Sequence, residues 1–209
     1  MMHSRCCIRV QARWHAHCPA SWPLWARTWA TSKGSLTRRL VGLGQGFEVQ
    51  PVFQGAARCT LADSLATGWQ PSQAVRARMV RLKTGGQTVV VARTLMRHGG
   101  QSCDWPFWWR LGSQSLGTML FCDPAVVRGQ VVYAQLAHHT PWVLAMLRNP
   151  DGTLPAPLAD APCWYARAAR YSKGAQRTPL WVFEVFCPAC TASPQERINE
   201  FVLRRRRCL

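Results

Sequence analysis

"AVRARMVRLKTGGQTVVVARTLM", residues 74–96, is two β-rich runs joined at Gly85–Gly86. A glycine pair between such runs signals a two-residue hairpin, because the turn that matches strand twist needs positive φ at both central positions. With these two as the loop, Thr84 faces Gln87, Leu82 faces Val89, Val80 faces Val91 and Arg78 faces Arg93. Period-2 alternation places Arg78, Val80 and Leu82 and their partners on one face of a sheet. That face is apolar except for two guanidiniums directly opposite each other. Like charges in a cross-strand pair are destabilising, and Arg cannot escape by losing its proton. The pair calls for an anion.

"TPLWVFEVFCPAC", residues 178–190, reads as a buried strand that offers one. Glu184 is flanked by Trp181, Val182, Phe183, Val185 and Phe186, and no other acid occurs between Asp160 and Glu196. Alternation puts it on one face with Leu180, Val182 and Phe186. A bound carboxylate is the other candidate anion, since an Arg fork matches a carboxylate with two parallel hydrogen bonds. Two readings without a ligand stand beside this one. The three charges form a buried cluster that serves only the fold, or the Arg heads snorkel to solvent at the sheet's rim.

Composition sets the wider bounds. The 209 residues suffice for one domain with a sizeable core, and 48% apolar residues with eleven Trp describe a globular chain. No apolar run approaches the length of a membrane span. The formal net charge of +17, from 26 Lys and Arg against 9 Asp and Glu, admits a nucleic-acid surface. However, the basic residues are spread along the chain, only "RRRRCL" forms a run, and no DNA- or RNA-binding motif accompanies them. A pocket for a small anion fits equally well. The ten Cys come without a recognisable secretory signal. "CPAC" at 187–190 has redox or zinc spacing but lacks a second ligand pair, so small hydrophobic thiols are the simpler reading.

Along the chain, residues 1–47 contain no acid. Residues 1–28 are expected to form a poorly ordered basic extension, whether a transit-like segment or the result of an upstream start codon. Residues 29–195 form the domain and 196–209 a basic tail. A Trp-rich helix is expected within 20–33 and an edge strand at 47–53, where Pro51 removes a ladder donor. A short helix at 113–121 and further strands at 126–136, 163–173 and 179–186 follow. "AHHTPWVLAMLRNPDGTLPAPLADAP", residues 137–162, reads as a surface excursion. Strands joined mostly by turns, with helices segregated, give an α+β domain on an antiparallel sheet.

"GSLTRRL" at 34–40, "ART" at 92–94, "LGSQSLGTMLF" at 111–121 and "PLWVFEVF" at 179–186 together resemble the chorismate pyruvate-lyase family. The resemblance runs in order from about Trp29 to Pro188. It implies a single α+β domain with a six-stranded antiparallel sheet and helical flaps enclosing an internal ligand cavity. It implies a lyase that converts chorismate to 4-hydroxybenzoate and pyruvate, the first step of ubiquinone biosynthesis, with no cofactor and no metal. The arginine used against the ligand carboxylate falls on Arg78. The glutamate at the ligand's far end falls on Glu184, and two flap positions that contact the carboxylate through backbone amides fall on Leu36 and Leu116. The resemblance thus implies Glu184 and Arg78 as the catalytic pair, and the expected hairpin geometry adds Arg93 as a supporting residue behind the site. Two departures stand out: Leu36 replaces the Met that relatives can carry, and "LMRHGG" follows "ART" without the usual proline.

The expected protein is a cytoplasmic monomer whose partner is the small molecule chorismate, with no nucleic acid and no membrane span. A ligand-sensing module is the runner-up, since effector-binding domains of some transcription regulators share this fold; such a protein would be expected to carry a winged helix, for which about 30 residues upstream of the core are too few. A basic nucleic-acid binder is the third. His98, His138 and His139 read as surface residues, and Trp105, Trp108 and Trp109 as core or flap packing.

Overall fold

A computed structural model describes residues 13–97, 105–173 and 178–188. Its seven strands are β1 (Trp14–His15), β2 (Phe47–Arg58), β3 (Ala74–Thr84), β4 (Gln87–Arg97), β5 (Val127–Ala137), β6 (Cys163–Ser172) and β7 (Leu180–Phe186). They form one open antiparallel sheet in the order β1-β5-β6-β7-β4-β3-β2. The α+β architecture is as expected, with one strand more than six, the extra being the two-residue β1. The helices are α1 (Leu24–Ala30), α2 (Leu36–Val41), α3 (Leu61–Thr67), α4 (Leu116–Cys122), α5 (Pro141–Leu147) and α6 (Ala156–Ala159).

Both faces of the sheet are covered. Trp22, Ala26 and Trp29, around α1, and Leu36 and Leu40 of α2 pack on Val80, Leu82, Val90 and Phe186 of one face. Leu120 of α4, with Trp105 and Trp108, packs on Met96, Tyr171 and Leu180 of the same face. Trp142, Val143, Met146 and Leu147 of α5 pack on Val91, Leu95, Phe183 and Val185 of the opposite face. Coverage on both sides explains why "LWVFEVF" is an almost unbroken apolar run rather than an alternating one. It also corrects the reading of 137–162 as a surface excursion, because α5 lies within that segment and four of its seven side chains are buried core.

The Gly85–Gly86 turn forms as expected, with positive φ at both residues and Thr84 opposite Gln87. The expected register then fails after one more pair. Lys83 faces Thr88 but Leu82 faces Val90, so Val89 is an extra residue on β4. A bulge slips every later pair by one, and a one-residue slip moves a side chain to the other face. Arg78 therefore faces Thr94, while Arg93 faces Met79 and points away from Arg78. The two guanidiniums do not meet.

Arg93 finds its own anion on the α3–α5 side. Its Nη2 donates to Asp63 Oδ2 at 3.0 Å and to the Arg58 carbonyl at 3.2 Å, and its guanidinium lies over the Trp142 ring. Asp63 Oδ2 also accepts the Thr60 N–H, and the Thr60 hydroxyl accepts the Asp63 N–H, a capping box that starts α3. At the other end of the chain, residues 13–28 carry β1 and most of α1 instead of lying loose. The Trp14 indole donates to the Ala62 carbonyl and packs edge-on against Phe183. Residues 1–12, His98, Cys190 and the 196–209 tail lie outside the described residues. His138 is stacked on Trp164, and Trp109 is exposed where Trp105 and Trp108 are buried.

Replacing Asp63 by Ala leaves the Arg93 charge buried without a partner. The expected loss is about 3–5 kcal/mol of unfolding free energy, read by urea denaturation. Adding Arg93→Met to Asp63→Ala removes the stranded charge and should recover part of that loss.

Candidate active site

The sheet face under α1, α2 and α4 carries a cavity that opens to solvent. Its floor is Arg78, Val80 and Leu82 of β3, Ala92 and Thr94 of β4, Val182 and Glu184 of β7, and Arg167 and Tyr171 of β6. Its roof is Leu36 and Thr37 of α2 with Leu116, Leu120 and Phe121 of α4. Four of the five residues picked out in the sequence, Leu36, Arg78, Leu116 and Glu184, thus line one space. Arg93 does not line it, because the Val89 bulge turned it to the other face.

Arg78 is 2% exposed, and its hydrogen bonds among the described residues are to neutral groups. Its Nη1 donates to Gln54 Oε1 at 3.2 Å, and its Nη2 to the carbonyls of Gly112 and Gln114 at 3.0 and 3.1 Å. Among the described residues no carboxylate reaches it, whereas Arg93 has Asp63 and Arg167 has Glu184. Burial accordingly pulls the Arg78 pKa below its ordinary value. A buried cation held only by dipoles is costly unless an anion joins it, and its Nε takes no part in these bonds.

Glu184 stands across β4 from the Arg78 strand and directly opposite Arg167. Arg167 Nε donates to Glu184 Oε2. The far side of the same guanidinium, Nη1, donates to the carbonyls of Ala30, the last residue of α1, and Ser32, just beyond it, at 3.1 and 3.0 Å. Burial works against the Arg167 charge, but the Glu184 carboxylate outweighs it and the pKa is raised. The ion pair fixes one carboxylate oxygen and leaves Oε1 outside it.

The roof is two short helices that begin side by side. Ser35 caps α2, accepting the Arg38 N–H. Thr37 and Ser115 share a hydrogen bond of 2.5 Å between their hydroxyls, tying the start of α2 to the start of α4. Gly117 permits that approach, because a Cβ there would lie 2.9 Å from Thr37 Oγ1. Leu36 and Leu116 are the first residues of these helices, so their amides have no intrahelical acceptor.

Arg167 was not among the residues chosen from sequence. It sits in "CWYARAARYSK", whose strand character is legible. The signal that would have found it is the register between β6 and β7, and the seven residues 173–179 between those strands leave that register unspecified. Cys187, the described half of "CPAC", is buried with its thiol pushed up to about 12 by desolvation, so it serves as an apolar core residue.

The cavity combines charged and apolar lining. An unneutralised cation lies on one side, a clamped carboxylate on another, and aliphatic walls lie between. No helix among the described residues is long and apolar enough to cross a membrane.

Comparison with known proteins bears on this geometry. The model of the chorismate lyase family matches residues 10–193. The probable chorismate pyruvate-lyase of Cupriavidus pinatubonensis is 35% identical over 189 residues, covering 90% of this chain and 94% of the relative. That of Methylobacillus flagellatus is 34% identical over 169 residues, covering 80% and 89%. Among solved structures, PhnF from Mycobacterium smegmatis superposes with a TM-score of 0.50 at 11% identity, over 78% of this chain and 67% of that one. At that identity the likeness shows a shared fold alone. The chain belongs to the chorismate lyase family.

Proposed function

We propose that the cavity binds chorismate and releases 4-hydroxybenzoate and pyruvate, the reaction that opens ubiquinone biosynthesis. The observation that carries this reading is Arg78, a guanidinium buried at 2% exposure with no acidic partner among the described residues. A ring carboxylate supplies the missing anion, and the free amides of Leu36 and Leu116 at the starts of α2 and α4 complete its cradle. Anchoring one end of the ring this way fixes the orientation of the other.

At that other end Glu184 accepts a hydrogen bond from the ring hydroxyl through Oε1 while Arg167 holds Oε2. The elimination removes the proton from the hydroxyl-bearing ring carbon and breaks the neighbouring ether C–O bond. The C–H electron pair becomes the last double bond of the aromatic ring, and the leaving enolpyruvate takes up a proton to become pyruvate. Aromatisation supplies the driving force, and no electron leaves the substrate, so neither a redox cofactor nor a metal is required. The aliphatic walls exclude water, which strengthens each charge interaction inside. The chain's net charge of +17 favours capture of a dianion from solution.

Incubation of the purified chain with chorismate alone should produce 4-hydroxybenzoate, followed in the ultraviolet, with a rate unchanged by a metal chelator. Arg78→Ala should weaken binding of 4-hydroxybenzoate by about 10- to 100-fold, the value of a charge-assisted contact, as measured by calorimetry. Glu184→Gln should lower turnover by about 10²- to 10⁴-fold while product affinity stays within a few-fold. Normal turnover in both variants would eliminate this site.

A further inference from the structure

The reading above gives chorismate's ring carboxylate a cation and leaves its second carboxylate, on the enolpyruvyl arm, without one. The cavity has a third corner. Through the strand register, Arg78 lines up with Thr94, Val182 and Ala169 across the sheet. Glu184 lies two residues to one side of that row on β7. Tyr171 lies two residues to the other side on β6, opposite Leu180. Tyr171 is buried, and its side chain lines the cavity with Gly34 and Phe121. A ring held at the Arg78 and Glu184 corners directs a substituent beside its hydroxyl toward a third corner.

Arg128 is the direct partner of Tyr171 in the β5–β6 register and stands behind it, outside the residues that line the cavity. Its Nη1 reaches the Lys33 carbonyl only at 3.5 Å, next to the cavity-lining Gly34. Its Nε is buried and has no hydrogen-bond partner. Among the described residues no carboxylate pairs with Arg128, since Asp123 is taken by Lys173 at 2.6 Å. The phenol responds to the charges around it. Burial raises the Tyr171 pKa and Glu184 adds to the rise, while Arg128 and Arg167 oppose it. A buried guanidinium N–H lacking an acceptor and a phenol facing the cavity are the donor set a carboxylate needs.

We propose that Arg128 and Tyr171 form a second anion subsite, which takes the side-chain carboxylate of a substrate whose ring carboxylate sits on Arg78. This subsite rests on the chorismate reading and explains how the cavity separates the two-carboxylate substrate from its one-carboxylate product. The substrate engages both cations, and the product keeps only Arg78. Loss of the arm releases one of the two anchors.

The test compares two stable acids by calorimetry, 4-hydroxybenzoate and 4-hydroxybenzoate bearing a carboxymethoxy arm beside its hydroxyl. For Arg128→Ala, affinity for the two-carboxylate acid should fall about 10- to 100-fold, with the one-carboxylate acid changed less than about two-fold. Arg128→Lys should recover part of the loss, and Tyr171→Phe should show the same selective loss at smaller size. Arg170→Ala, an equal loss of charge at the exposed neighbour of Tyr171, should change neither affinity. Equal weakening of both acids by Arg128→Ala, or no weakening of either, overturns the subsite. A wild-type chain that binds neither acid overturns the underlying chorismate reading instead.

Discussion

A guanidinium keeps its charge at any pH a protein meets, so each arginine buried in this sheet has to be matched with an anion or with enough dipoles to stand in for one. Arg93 and Arg167 are matched by Asp63 and Glu184. Arg78 is matched by one side-chain amide oxygen and two backbone carbonyls. Arg78 thus differs from the other two in having dipoles where they have a carboxylate. On the α3–α5 side, Arg93 has a carboxylate partner in Asp63, which is also tied into a helix cap, and the surrounding core is apolar. On the other side, the charges face a cavity, and Arg78 has no carboxylate partner among the described residues.

The single residue that brings this about is Val89. Without the bulge, Arg78 and Arg93 would oppose each other on one face, and a lone ligand carboxylate would have to satisfy both. The extra residue sends Arg93 to the reverse face and leaves Arg78 alone in the cavity. The turn that starts the hairpin was legible because Gly85 and Gly86 have a backbone requirement of their own. The bulge was not, because Val89, Val90 and Val91 are all apolar and both faces of the sheet are buried. Alternation marks register only where one face is polar; in a run of three valines between two cores, a slip by one leaves the pattern unchanged.

The same reasoning covers the rest of the site. Glu184 was visible as an acid in an apolar strand, and Leu36, Leu116 and Arg78 through family motifs, since each lies in a contiguous segment. Arg167 matters through a strand pair whose intervening segment does not fix the register, and Tyr171 and Arg128 through a pair shifted by a bulge between Arg128 and Val131. The core role of Trp14 and α5 was hidden for another reason. Basic and Pro-rich surroundings suggested solvent, whereas the apolar stripe within each segment decides where it packs.

The arginines also explain how a cavity roofed by two short helices is kept in shape. Arg78 holds the carbonyls of Gly112 and Gln114, the turn that leads into α4. Arg167 holds those of Ala30 and Ser32, the segment that leads into α2. Each half of the roof is thereby pinned to the floor by one charged side chain that also faces the ligand space. The two halves then meet at the Thr37–Ser115 hydrogen bond. An anion reaching Arg78 draws on the same guanidinium that anchors the α4 side, so occupancy and roof position share one set of donors. Helices of six and seven residues are too short to stand alone in water. Their order comes from those arginine tethers and from Leu36, Leu40 and Leu120 packed on the sheet, which makes the roof the part of this fold most directly coupled to what the cavity holds.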